Sequence, residues 1–201
     1  VALIQLSAPA QEPVTLADAK NHLRIDADIT QDDALIQMLI TAARIYGETL
    51  TGRSFITQQW RMVLDAFPGG WGGNPGNVIE LDRGTVQSVD AITYLSTGGT
   101  WLAMAPATIA TDLASMPGRV SPIFGAIWPI PMPQIGSVRV DYTAGYGLNP
   151  TDVPAGIRQW MLVRLTTLYE HREEVEVVAR GKLEPLPFID GMLDPYTVLT
   201  I

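Results

Sequence analysis

Histidine is the side chain best suited to proton transfer and metal binding near neutral pH. This sequence has two, His22 and His171. His22 lies among Lys20, Asn21 and Arg24 in a short amphipathic stretch, which reads as a solvated surface. His171 lies in Tyr169-Glu170-His171-Arg172-Glu173-Glu174, where Glu170 or Glu174 would be its natural partners at a metal. A zinc or iron site needs three or more converging ligands, and one imidazole beside solvated glutamates reads instead as the polar end of a helix. No serine sits in a Gly-x-Ser-x-Gly elbow, and Gly181-Lys182 runs into Leu183 without the upstream glycine of a phosphate loop. Gly145-Tyr146-Gly147 lacks a third glycine at dinucleotide-fold spacing and reads as a tight turn. Asp32 and Asp33 are neighbours, about 100° apart on a helix, which suits capping better than acid/base work. Tryptophans 60, 71, 101, 128 and 160 are scattered rather than interleaved with basic residues, against a single-strand nucleic-acid platform. The expectation is no catalytic residue, no metal site and no cofactor.

Composition points the same way. The 201 residues include 47% hydrophobic and only 17% charged side chains, against about 25% charged in an average soluble domain. A net charge of −8 makes phosphate backbone and anionic lipid poor primary partners. Cysteine is absent, which removes disulfide scaffolds, thiol catalysis and thiolate metal sites together. The chain starts at Val1 without an initiator Met, as a processed or trimmed product would, and Val1–Leu6 is too short for a signal sequence. Two uncharged stretches, 91–111 and 120–138, approach bilayer length. The first contains the turn signal Ser96-Thr97-Gly98-Gly99-Thr100, and the second contains Pro122, Pro129, Pro131 and Pro133. Both are expected to form apolar loops and strands that meet other proteins rather than lipid.

Charge density divides the chain in three. Residues 1–57 carry 11 charges and residues 151–201 carry 13, whereas 58–150 carry 10 together with 13 of the 18 glycines. Dense charge with few breakers suits helices, and sparse charge with frequent Gly and Pro suits short strands. The expected fold is α+β: an N-terminal helical part (1–57), a β-rich insert (58–150), and a C-terminal helix with a tail (151–201), the two ends flanking one small helical bundle. Thr15-Leu16-Ala17-Asp18 has capping-box spacing and predicts a short helix ending near Ile25. Thr30-Gln31-Asp32-Asp33 repeats it and opens a longer helix with a stripe of Leu35, Leu39, Ala42, Tyr46 and Leu50, stopped by Gly52. A last helix starts near Asp152 and buries Ile157, Trp160, Met161, Leu165 and Leu168. Trp60, Met62 and Leu64 alternate with Arg61 and Val63, and Val138, Val140 and Tyr142 alternate with Arg139 and Asp141, each marking a half-buried strand. Further strands are expected at 78–81, 89–95 and 100–104.

The terminus from Pro195 to Ile201 is uncharged and β-prone. It suits either packing on its own domain or docking on a neighbour by strand addition or in a groove.

Taken in order, these segments resemble the head–tail connector (adaptor) proteins of tailed bacteriophages and gene transfer agents. The resemblance begins at Val14-Thr15-Leu16-Ala17-Asp18-Ala19-Lys20, His22-Leu23-Arg24-Ile25-Asp26 and Asp32-Asp33-Ala34-Leu35-Ile36. It continues through Thr51-Gly52-Arg53, Trp60, Leu64-Asp65-Ala66-Phe67-Pro68 and Val86-Gln87-Ser88-Val89. Trp128-Pro129, Val138–Tyr142, Ala144-Gly145-Tyr146-Gly147, Val153-Pro154, Leu168–Glu173 and Leu193-Asp194-Pro195-Tyr196 complete it. It covers nearly the whole chain, and the order carries the weight, since each motif alone is a cap, turn or strand. The Gly-rich loop around Trp71 is longer than the family pattern.

The resemblance implies a structural protein of the virion neck, made in the cytoplasm of a bacterial host. Such a protein forms a ring beneath the portal, twelvefold like the portal, extends the DNA channel, and receives a stopper or tail-side neck protein. It implies docking on the portal ring or a neighbouring subunit through Leu193, Pro195, Tyr196, Val198, Leu199 and Ile201, and an insert facing the neck through Trp71 and Trp128. A net-negative lumen would let DNA pass without specific binding, and no membrane is involved. The alternatives are a stopper or tail-completion protein of the same neck, a β-rich ligand-binding module with Trp71, Trp101 or Trp128 as platforms, and a hydrolase built around His171.

Overall fold

A computed structural model describes residues 1–69, 77–170 and 191–198. In chain order its strands and helices are β1 (Ala2–Ser7), α1 (Leu16–Leu23), α2 (Asp33–Thr51), β2 (Gln58–Leu64), β3 (Ile79–Leu81), β4 (Val86–Leu95), β5 (Trp101–Ala103), β6 (Ile109–Asp112), β7 (Gly118–Pro122), β8 (Val138–Ala144) and α3 (Ala155–Glu170). The fold is α+β. Its described residues gather into two compact units, a β unit of 1–9, 57–146 and Val198, and a helical unit of 10–56, 147–170 and 191–197.

In the β unit, alternation sets the architecture. Along β8, Val138, Val140, Tyr142 and Ala144 are buried, and the residues between them are half-buried. β2 and β4 flank β8 antiparallel, with Met62 and Ile92 both opposite Val140. β1 and β5 form the edges, giving the order β1-β2-β8-β4-β5, and β3-β7-β6 form a second sheet. Ile79, Leu81 and Val120 of the second sheet share one core with Trp60, Met62, Ile92 and Val140 of the first. On the other face, Arg61 and Asp141 stand directly opposite and form two bonds of 2.7 Å, the bidentate geometry that fixes register as well as charge. β1 departs from the charge partition. The charge partition places residues 1–9 with the helical part, yet they belong to the β unit, where Ala2–Ser7 pair with β2 at the sheet edge.

The helical unit starts as Thr15 predicts. The Thr15 hydroxyl accepts from the Asp18 N–H at 3.1 Å, and the Asp18 carboxylate accepts from the Thr15 N–H. α1 then ends at Arg24, whose positive φ closes the left-handed cap. The second expected box does not form. Asp32 is the N-cap and makes no side-chain capping bond. Asp33 lies 2.6 Å from the buried Lys20 ammonium, and Asp32 accepts from the Tyr169 hydroxyl. Tertiary partners outcompete the local cap. α3 follows a capping box between Asn149 and Asp152 and buries Ile157, Trp160, Met161 and Leu165, as the spacing predicts.

The stripe of α2 lies elsewhere than expected. Ile36, Ile40, Ala43, Gly47 and Thr51 face the core, whereas Ala42, Tyr46 and Leu50 are exposed. α2 is apolar on nearly every side, so spacing alone admits two stripes, and Gly47 decides between them. A Cβ at Gly47 would lie 2.6 Å from the Phe55 ring and 2.8 Å from Trp160, so these rings close onto bare backbone.

Two measurements check this account. Alanine at position 47 gains about 1 kcal/mol of helix propensity. It also forces apart two fully buried rings, at a cost of about 1–3 kcal/mol. The steric term wins, so Gly47→Ala should lower the denaturation midpoint rather than raise it. In the β6–β7 hairpin, the Ser115 hydroxyl first and the Arg119 guanidinium second bond Asp112 and lower its carboxyl to about 2. A depressed carboxylate stabilises the fold above its unfolded value of about 3.9, and that contribution fades as pH falls through about 2. An NMR titration should therefore place Asp112 well below the exposed carboxyls, and Ser115→Ala should move its midpoint upward.

Candidate docking surfaces

The segment 122–136, between β7 and β8, carries no charge and four prolines. Its backbone is pinned along its length. The Ile123 N–H donates to the Thr108 carbonyl, the Met132 N–H to the Leu95 carbonyl, and the Gly136 N–H to the Asp65 carboxylate at 2.8 Å. Gly125 and Gly136 turn the chain at φ near +83° and +71°, where a side chain would be strained. Trp128 is the central anchor. Its ring stacks on Phe67 at 4.7 Å between centroids, and its indole N–H donates to the Asn77 carbonyl at 3.0 Å.

Trp128, expected on an exposed neck-facing surface, is instead only 7% exposed and belongs to the core of the β unit. A large apolar ring with one polar N–H is satisfied by such a pocket. Anchoring Trp128 displays its neighbours instead. Phe124 is fully exposed, and Ile127, Ile130 and Ile135 are each more than 80% exposed. The uncharged run between Arg119 and Arg139 is visible in the sequence, but alternation cannot say which of its residues point outward.

A second surface lies on α2. Arg44 and Glu48, the only charges in the body of that helix, are buried against each other, while Met38 is 61% and Ile45 53% exposed. Tyr46 is held in place by a stack on Trp160 and by the Arg164 guanidinium over its ring.

The tail residues divide. Leu193 is buried in the helical unit, and Tyr196 covers Gly156 of α3, its hydroxyl 3.1 Å from where a Cβ would stand. Pro195 is exposed and Val198 half-buried. Leu199, Ile201, Trp71 and His171 lie outside the described residues. His22 is exposed. Among the described residues, no group of three acidic or imidazole side chains converges to hold a metal, and no helix is long and apolar enough to cross a membrane. The β unit has an open cleft of about 460 Å³ lined by Met62, Leu64, Pro68 and Ile79, which neither Trp101 nor Trp128 lines. Trp101 lies at a sheet edge beneath Arg139, 3.9 Å from its ring centre.

Residues 13–94 match the phage gp6-like head-tail connector protein family. That segment runs from just before the Thr15 cap to the end of β4, so the resemblance read from the ordered motifs holds there. No curated protein matches the sequence. Among solved structures, the chain is similar to one in the neck of an empty gene transfer agent (GTA) particle computed with C6 symmetry, at 23% identity and a TM-score of 0.79. It is similar to a chain in the virion of the native GTA particle at 22% and 0.80, and to one in the native neck computed with C12 symmetry at 21% and 0.75. Each match covers all of this chain and 97% of the other, so the likeness is one of whole fold.

The role of Trp128 as an anchor is testable. Trp128→Phe keeps a ring on Phe67 and loses one hydrogen bond, at a cost of about 1 kcal/mol. Trp128→Ala also leaves a cavity and should cost about 3–5 kcal/mol. Chemical denaturation followed by far-UV circular dichroism separates the two. Equal and negligible losses would mean that the indole is not part of the core.

Proposed function

We propose that this chain is a head–tail connector: a non-catalytic subunit of a ring that extends the DNA channel beneath the portal and joins the capsid to the neck or tail. One observation carries the reading: the connector family match over residues 13–94 lies within a chain whose entire fold is that of a GTA neck chain. The C6 and C12 symmetry of those necks supports a ring of copies, and a twelvefold portal calls for twelve. The particle neck is then its place, after synthesis in the bacterial cytoplasm.

Within this reading, Leu193 and Tyr196 anchor the tail to its own subunit, and Pro195, Val198, Leu199 and Ile201 reach the portal ring. An uncharged terminus favours such docking, because no lone charge has to be buried. The insert meets the stopper or tail-side neck protein through the Gly-rich segment that contains Trp71. The net charge of −8 favours a lumen through which DNA slides without specific binding.

Electron microscopy of the chain mixed with portal rings from its own particle tests this. A coaxial layer of twelve subunits is expected, and removal of residues 198–201, which leaves the Tyr196 contact on Gly156 in place, should abolish it without shifting the thermal midpoint. Unchanged attachment of the truncated chain would remove the tail from the docking role. A layer found only on tail-side rings would make the protein a stopper.

A further inference from the structure

We infer that the outward face of α2 is a subunit contact, on which a second copy of this chain seats its loop of residues 122–136, so that the ring closes head to tail. The inference rests on the ring assembly proposed above and names the surfaces that build it.

A solvent-facing helix ordinarily turns apolar residues inward and charges outward. α2 departs from this along its body: it buries Ile36, Ile40 and Ala43 in the ordinary way, but it buries its charges with them and leaves a second apolar face outside. Arg44 and Glu48 are 5% and 3% exposed, whereas Met38, Ala42, Ile45, Tyr46 and Leu50 recur at three- to four-residue steps on the outside. Thr49, on the same outer side, satisfies its hydroxyl on the Ile45 carbonyl at 2.8 Å. Beyond its first turn, α2 therefore presents an uncharged strip to water. Such a strip is costly on a free surface and marks one that is covered in use.

The occupant follows from symmetry and polarity. In a closed ring each copy presents two unlike surfaces, one to each neighbour. The chain has a second uncharged apolar surface, the loop of residues 122–136 with Phe124, Ile127 and Ile130 exposed. Neither strip carries an ionised side chain among its exposed apolar residues, so joining them buries no charge of their own. Tyr46 supplies a rigid aromatic anchor, since Trp160 and Arg164 already fix its ring. A 19-residue helix is about 28 Å long, and one face of it offers roughly 300 Å², well below the ~800 Å² per partner of a stable complex. A single contact is thus weak, and closure of the ring supplies the remaining avidity.

The absence of native cysteine makes disulfide trapping clean. Ile45→Cys mixed with Ile127→Cys, at high protein concentration under mild oxidation, should give covalent dimers that neither variant forms alone. The double variant should give a ladder of multimers. Met38→Asp on that background should cut the ladder at least tenfold with an unchanged far-UV spectrum. Yields no higher than those of Asp28→Cys mixed with Gln59→Cys, both exposed positions, would overturn the proposal, as they would if another neck protein covers α2. Abundant dimers of Ile45→Cys alone would also overturn it, by showing a face-to-face contact. A ladder from a chain that never layers on portal rings would keep the contact and remove the connector role. A portal layer without a ladder would do the reverse.

Discussion

Burial of the Arg44 guanidinium constrains the helical unit more than any other single interaction. A buried cation costs several kcal/mol unless its donors are paired in good geometry. Here Nε donates to Glu12 at 2.7 Å and Nη1 to Glu48 at 3.0 Å. The carboxylates are satisfied in turn, Glu12 by the Thr41 hydroxyl and Glu48 by the Phe55 N–H. The network fixes the segment before α1, the middle of α2 and the turn after it relative to one another. It also fixes the rotation of α2 about its own axis. With Arg44 and Glu48 turned inward, the remaining residues of the outer face have no charge to show. The docking strip is therefore a consequence of the same ion pairs that hold the unit together.

The β unit reaches a similar result by different means. Its exposed apolar side chains sit on a loop tied to the sheets by backbone bonds at Ile123, Met132 and Gly136, and by the Trp128 stack in the middle. Phe124 and Ile127 are thus presented on an anchored frame, so less conformational entropy is lost when they are covered. Both surfaces raise the tendency of the free chain to self-associate. A net charge of −8 opposes that by mutual repulsion. Low charge overall and strong acidity in what charge remains are two sides of one arrangement.

Particular residues show where the sequence was legible. β8 and β2 could be read because one face of each is buried, so a period of two survives in Val138, Val140 and Tyr142 and in Trp60 and Met62. The Thr15 box could be read because both of its partners are local. β1 could not, since an edge strand exposed on both faces leaves only Leu3 half-buried and no alternation to find. The stripe of α2 is ambiguous because two apolar faces share it, and the choice is made by tertiary partners, the Phe55 and Trp160 rings against Gly47 and the ion pairs of Arg44. The Thr30 box failed for a reason that lies 13 residues upstream, in Lys20. The type and place of Trp128 suggest an outward-facing contact residue, whereas its ring is buried on Phe67. Tryptophan serves core and interface equally well, and only its neighbours tell which.

The chemistry of the two surfaces bears on why a joint of this kind would avoid charge. A channel that passes DNA brings a dense polyanion close to every subunit. Contacts built from exposed lysine or arginine would be open to competition from phosphate and weakened by salt. Apolar contacts are indifferent to both. Among the described residues the charged pairs follow that division, apart from the exposed pair of Asp112 and Arg119. Arg44 with Glu48, and Lys20 with Asp33, are withdrawn from solvent, and Arg61 lies partly buried in bidentate contact with Asp141. Arg139 and Arg164 are turned onto the aromatic faces of Trp101 and Tyr46. These cations are engaged within the subunit, while the exposed side chains of the two proposed contact surfaces, Met38, Ile45, Phe124 and Ile127 among them, are uncharged. In the ring proposed above, contacts of this kind would hold without competing with DNA phosphate for cations.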